Sequence, residues 1–106
     1  MIRLRVLSVA LVAAAQPAWG QGDPEIAYGK ALVEANCAAC HAVGATDESR
    51  HETAPPLRSL TALYPLDALE EAFVEGISTG HPDMPEFIAS PEQIAAILAY
   101  IDSIQP

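Results

Sequence analysis

Two cysteines and a histidine within five residues, Cys37-Ala38-Ala39-Cys40-His41, constrain this chain more than any other feature. Positions three and four apart share one face of a helix, so the two thiols and the imidazole can act on a common target. Ala38 and Ala39 are small and leave that face open. Three ordinary uses of such a cluster compete. A thioredoxin-like dithiol needs a preceding strand and a mixed sheet, and no run of this chain alternates with strand period for long enough to supply one. A structural zinc site could draw on Cys37, Cys40, His51 and His81, which would leave His41 unused. A disulfide across the tight turn is the third.

The same five residues also form the Cys-x-x-Cys-His pattern of covalent haem attachment. In that use Cys37 and Cys40 reach the two vinyl groups along one side of a porphyrin to form thioethers, and His41 brings its imidazole beneath the iron. The start of the chain agrees with it. Arg3 and Arg5, an apolar run from Val6 to Ala15, and Ala18-Trp19-Gly20 have the order of an export signal, with cleavage expected near Gly20/Gln21. Residues 1–20 are thus expected to be a signal peptide and 21–106 a single domain in the periplasm. The apolar run is about half the roughly 20 residues a membrane span requires, so no stable membrane insertion is expected.

Beyond residue 20 the only bases are Lys30, Arg50 and Arg58, against all fourteen acids, a net charge of −11. So acidic a surface repels nucleic acid and suits a basic protein partner. A domain of this size with few aromatic residues builds a thin core unaided, and a flat apolar macrocycle would give its elements something to bury against.

The fold class expected is all-α, with three main helices and loops wrapped around one covalently bound haem. Asp23-Pro24-Glu25 carries a cap, a proline at the first helical position and an acid in the first turn, predicting a helix over about Pro24 to Ala39. Pro65 opens a second helix, with Leu66, Leu69 and Phe73 on one face, Asp67, Glu70, Glu71 and Glu75 in water, and Gly76 at its end. Ser90-Pro91-Glu92-Gln93 is a capping pattern ahead of Ile94, Ile97, Leu98, Ile101 and Ile104 at helical spacing. Two long loops join these helices, Ala42 to Pro56 and Ile77 to Ala89, and loops of that length in so small a domain have a task.

From about Tyr28 to Ile104 the chain resembles a class I c-type cytochrome, of the monohaem bacterial periplasmic type. Matching features are Gly29, eight residues before Cys37; the attachment motif; Pro55 and Leu57 in Ala54-Pro55-Pro56-Leu57; Met84 in Asp83-Met84-Pro85-Glu86-Phe87; and Tyr100 in Leu98-Ala99-Tyr100-Ile101. The resemblance implies one haem c, with His41 and Met84 as axial ligands. A thioether in that position stabilises ferrous iron and raises the potential relative to a second histidine. His81, three residues earlier, is the nearest rival, and His51 a more distant one. In the family a loop proline lends its carbonyl to the ligating imidazole; Pro55 matches, with Pro56 as the adjacent alternative. Gly29 and Tyr100 match the crossing of first and last helices.

Departures limit the resemblance. The sole tryptophan, Trp19, falls in the leader, leaving Arg58, Tyr64 or Arg50 to meet the haem propionates, and the lysine ring of the mitochondrial members is reduced to Lys30. The function implied is electron transfer without catalysis, to redox partners such as a dehydrogenase or oxidase with a basic docking surface. A permanent haem subunit of a periplasmic dehydrogenase is the alternative, followed by a haem sensor or peroxidase with an open iron position.

Overall fold

The computed structural model describes residues 8–10, 22–76 and 83–106. Residues 1–7, 11–21 and 77–82 lie outside them, and with them most of the expected signal peptide, His81 and Pro82. The helices are α1 (Pro24–Asn36), α2 (Leu60–Leu63), α3 (Leu66–Val74) and α4 (Pro91–Ser103), with a 3-10 turn at Leu57–Ser59 running into α2. Among the described residues there is no β-strand, as the all-helical reading requires. None of these helices is long and apolar enough to cross a membrane.

Local chemistry accounts for the helix starts. Asp23 Oδ1 accepts from the backbone N–H of Glu25 at 2.8 Å and of Ile26 at 3.4 Å, and Pro24 follows where no donor is needed. At α4, Ser90 Oγ accepts from Gln93 N–H at 3.2 Å while Gln93 Oε1 accepts from Ser90 N–H at 3.0 Å, the reciprocal capping box. Gly76, with φ +80°, takes the left-handed turn that stops α3.

Two findings differ from the sequence reading. Helix α1 stops at Asn36 instead of continuing to Ala39: the Val33 carbonyl accepts from both Cys37 N–H at 2.8 Å and Ala38 N–H at 3.1 Å, and the chain leaves the helix in a turn closed by the Cys37 carbonyl. The second is the helical stretch from Leu57 to Leu63, which lies between Pro56 and Pro65 and is too short to show periodicity.

Among the described residues helix α1 crosses α4 in the most extensive helix–helix contact, and α3 packs against α4 as well. The crossing is close at Gly29, where an added Cβ would sit 1.9 Å from the Ala96 carbonyl oxygen and 2.9 Å from Tyr100 Cβ. Val33, Ile97 and Ile101, the largest fully buried side chains, form the centre of the core. Gln105 locks the end of α4 to the 57–61 segment: its Nε2 donates to the Leu57 carbonyl at 2.7 Å, and its Oε1 accepts from the Thr61 hydroxyl at 2.7 Å.

Candidate functional site

The core is built around a cavity of about 520 Å³, within the ~300–1,000 Å³ typical of small-molecule and cofactor sites. Every helix contributes to its wall: Val33 from α1, Leu60 from α2, Leu69 and Phe73 from α3, Ile97 and Ile101 from α4. Phe87 meets Phe73 edge-on, with ring centroids 6.4 Å apart, and closes the wall from the segment before α4. Against this apolar lining stand Cys37, Cys40, His41, Pro55 and Met84, so all five residues singled out in the sequence border one space.

The turn that ends α1 delivers the first three. Cys40 N–H and His41 N–H both donate to the Cys37 carbonyl, at 3.2 and 2.9 Å, which curls the motif into a single helical turn at the cavity wall. Both thiols are free and partly buried. Burial pushes the Cys37 thiol up to about 11, so it stands there as the neutral thiol.

His41 Nδ1 lies 2.7 Å from the Pro55 carbonyl oxygen. A carbonyl only accepts, so Nδ1 carries the proton and Nε2 keeps its lone pair for a metal. The choice between the two prolines is decided by the same geometry. Pro56 turns its carbonyl instead to Ser59, whose N–H and hydroxyl donate to it at 3.1 and 3.0 Å.

The loop that carries Pro55 is held by many short-range bonds. Asp47 accepts from Val43 N–H at 3.1 Å and Gly44 N–H at 2.8 Å, Ser49 Oγ accepts from Ala42 N–H at 2.9 Å, and the Tyr100 hydroxyl reaches across to the Val43 carbonyl. Arg58 Nη1 donates to the Asp47 carbonyl at 2.6 Å and so belongs to this loop. Of the three groups considered for the propionates, only Tyr64 lines the cavity; neither Arg58 nor Arg50 does.

Met84 is partly buried, packs against the core and borders the cavity. Its rival His81 lies outside the described residues. His51 does border the cavity, but its ring is engaged elsewhere: Nε2 stands 3.1 Å from Asp83 Oδ2, and Nδ1 accepts from Thr53 N–H at 3.2 Å. Sequence reading missed this pairing, because 32 residues separate His51 from Asp83 and no local pattern joins them. Among the described residues no three His, Cys, Asp or Glu side chains converge in metal-holding geometry.

The family model described as Cytochrome c matches residues 26–105, most of the chain and all of the cavity wall. No curated protein and no solved structure matches. The residues fit the group that family carries: a mostly apolar cavity, two thiols three positions apart on its wall, an imidazole with its distal nitrogen available, and a thioether on the same cavity.

Proposed function

The chain belongs to the cytochrome c family, and on that premise we propose that it is an exported one-electron shuttle, with haem held by thioethers to Cys37 and Cys40 and by His41 and Met84 as axial ligands. Members of the family bind haem c covalently, typically through two cysteines, and this chain has only Cys37 and Cys40. Bound haem supplies a one-electron iron couple, and the protein's part is to fix the ligands and exclude water.

One contact carries the most weight: His41 donates its Nδ1 proton to Pro55 on the wall of a cavity that also holds both thiols and Met84. That hydrogen bond selects the tautomer and fixes the ring plane. Cys37 and Cys40 would hold the haem covalently through thioethers. Met84, between Asp83 and Pro85, offers a soft sulfur that favours the ferrous state. If His41 and Met84 both held the iron, no position would stay open for peroxide or a diatomic ligand, which would suit a carrier and not a catalyst.

The leader supports export to the periplasm. Asp67, Glu70, Glu71 and Glu75 are exposed on or just beyond α3, and with few bases on the mature chain they favour a basic docking surface on a dehydrogenase or oxidase. Such encounters are brief and use small interfaces, below about 1,200 Å².

The visible spectrum of the protein made with haem-attachment machinery tests the ligand set. The expected result is the pyridine haemochrome of two thioethers together with the weak band of sulfur-ligated ferric haem at the red end of the spectrum. Met84→Ala should abolish that band and let the ferrous protein take up carbon monoxide. Carbon monoxide uptake by the unaltered protein would overturn the methionine assignment, and absence of covalent haem would overturn the whole reading. Stable co-purification with a dehydrogenase would make the chain a subunit instead of a free shuttle.

A further inference from the structure

We propose that His51 is a positioning residue for Met84: it fastens Asp83, the residue before the sulfur, to the attachment motif across the mouth of the cavity. This assignment rests on Met84 being the sixth ligand.

The segment from His51 to Pro55 is where both sides of the site are tied. Its backbone is fixed to the motif by His51 N–H donating to the Cys40 carbonyl at 3.0 Å, and it is closed on itself by Ala54 N–H donating to the His51 carbonyl at 3.1 Å. From one end, Pro55 O receives the proton of His41. From the other, the His51 ring reaches Asp83. One short turn therefore grips the histidine ligand directly and the methionine ligand through its neighbour.

The ring is oriented for this task. Thr53 N–H can only donate, so His51 Nδ1 must accept, and the ring proton lies on Nε2, facing the Asp83 carboxylate. The Thr53 hydroxyl, 3.0 Å from Nδ1, adds to the same constraint. On the far side of Met84, Phe87 is fixed against Phe73. Met84 thus lies between two fastenings, an apolar one three residues after it and a polar one immediately before it. Releasing the polar one leaves the sulfur held only through Phe87 and free to swing outward on the Asp83 side.

The effect is modest by construction. The His51 and Asp83 side chains are 31% and 63% exposed, so water weakens the hydrogen bond, and it biases the sulfur's on/off equilibrium by a small factor. What distinguishes positioning from general stabilisation is that the bias acts only where sulfur competes for iron.

Imidazole titration of the ferric holoprotein measures that competition, because imidazole binds only when Met84 lets go. His51→Ala and Asp83→Ala should each raise imidazole affinity by up to about 5-fold, the most that a screened polar contact supports, and the double variant should go no further. His51→Gln, whose amide keeps a donor at similar reach, should return the affinity to within about twofold of the unaltered protein. In a Met84→Ala background the affinity should be high, and His51→Ala should no longer change it. Unchanged affinity in both single alanine variants, alongside a large rise in Met84→Ala, would overturn the role of His51 while leaving the ligand set standing. A rise on His51→Ala that persists in the Met84→Ala background would overturn it too, as general loosening. No effect of Met84→Ala would remove the ligand reading and this assignment together.

Discussion

At Tyr100 a buried side chain in α4 ties the site's loop to the helical frame by donating its hydroxyl to the Val43 carbonyl. Tyr100→Phe should lower holoprotein stability by about 1 kcal/mol, the net worth of a hydrogen bond whose acceptor is left unpaired, as read from the denaturant midpoint. Burial first, then the charges of Glu34 and Asp47, push this phenol above its ordinary value. A raised value means that the folded state favours the protonated form. Its stabilising contribution is whole below about pH 10 and is lost as pH rises through the folded value, so Tyr100→Phe should flatten the alkaline limb of the stability profile. Asp47 runs the opposite way. Desolvation works to raise its carboxyl but is outweighed by the N–H groups of Asp47 itself, Gly44 and Val43 and by the Arg58 guanidinium, which hold it below the usual range. Its contribution is therefore present above about pH 4 and lost as pH falls through the lower folded value. Melting temperatures measured against pH should show Asp47→Asn less stable near neutrality and less sensitive to acid than the unaltered protein. Residues of this kind divide by how far their partners lie along the chain. Cys37, Cys40 and His41 are legible because five consecutive positions carry the chemistry, and Pro55 and Met84 because their order after the motif matches a family. The pairing of Asp47 with Arg58 and of His51 with Asp83 becomes visible only once loops are folded back on one another.

Among the elements, the α1–α4 crossing is the most demanding. Gly29 meets the Ala96 carbonyl so closely that a methyl group would occupy the oxygen's own place, and the obstacle is helix backbone, which cannot rotate aside as a side chain can. Gly29→Ala must therefore force the two helices apart, and should cost at least about 3 kcal/mol, the upper part of the range for overpacking, measured by denaturant unfolding of the holoprotein. The same change at Gly22, where no atom lies within 4 Å, is the control and should be near neutral. That crossing is legible in Gly29 and Tyr100 through the family resemblance, and the starts of α1 and α4 in Asp23 and Ser90 because caps are written in one or two residues. Ends were less legible: neither glycine nor proline follows Asn36, and α1 stops where Val33 shares its carbonyl between two donors. Nor was the 57–63 stretch legible, which Leu57 and Leu60 bury in the core and which Gln105, more than forty positions away, ties to the end of α4.

For the molecule as a whole, the site and the core are one object. The three largest fully buried side chains, Val33, Ile97 and Ile101, all face the cavity, so the best-packed part of the chain is also the part that haem must complete. Sequence composition hinted at this, since a domain so small has little else to bury. The size of the cavity turns the hint into a quantity. Without haem, about 520 Å³ of space lined mainly by aliphatic and aromatic side chains stands open where a core would be packed, so the surface that should stabilise the fold is left facing water. Filling the space with water does not rescue the haem-free chain, because the walls are mostly aliphatic and aromatic and offer water few partners. Collapsing it does not either, because Gly29 already holds α1 and α4 at closest approach and the cavity-facing side chains hang from all four helices. With neither route open, the apoprotein should be largely unfolded. Far-UV circular dichroism of the chain produced without haem attachment measures this directly: a signal dominated by coil is expected, whereas helical content close to that of the holoprotein would mean that the α1–α4 pair folds by itself and that haem fills a frame already standing.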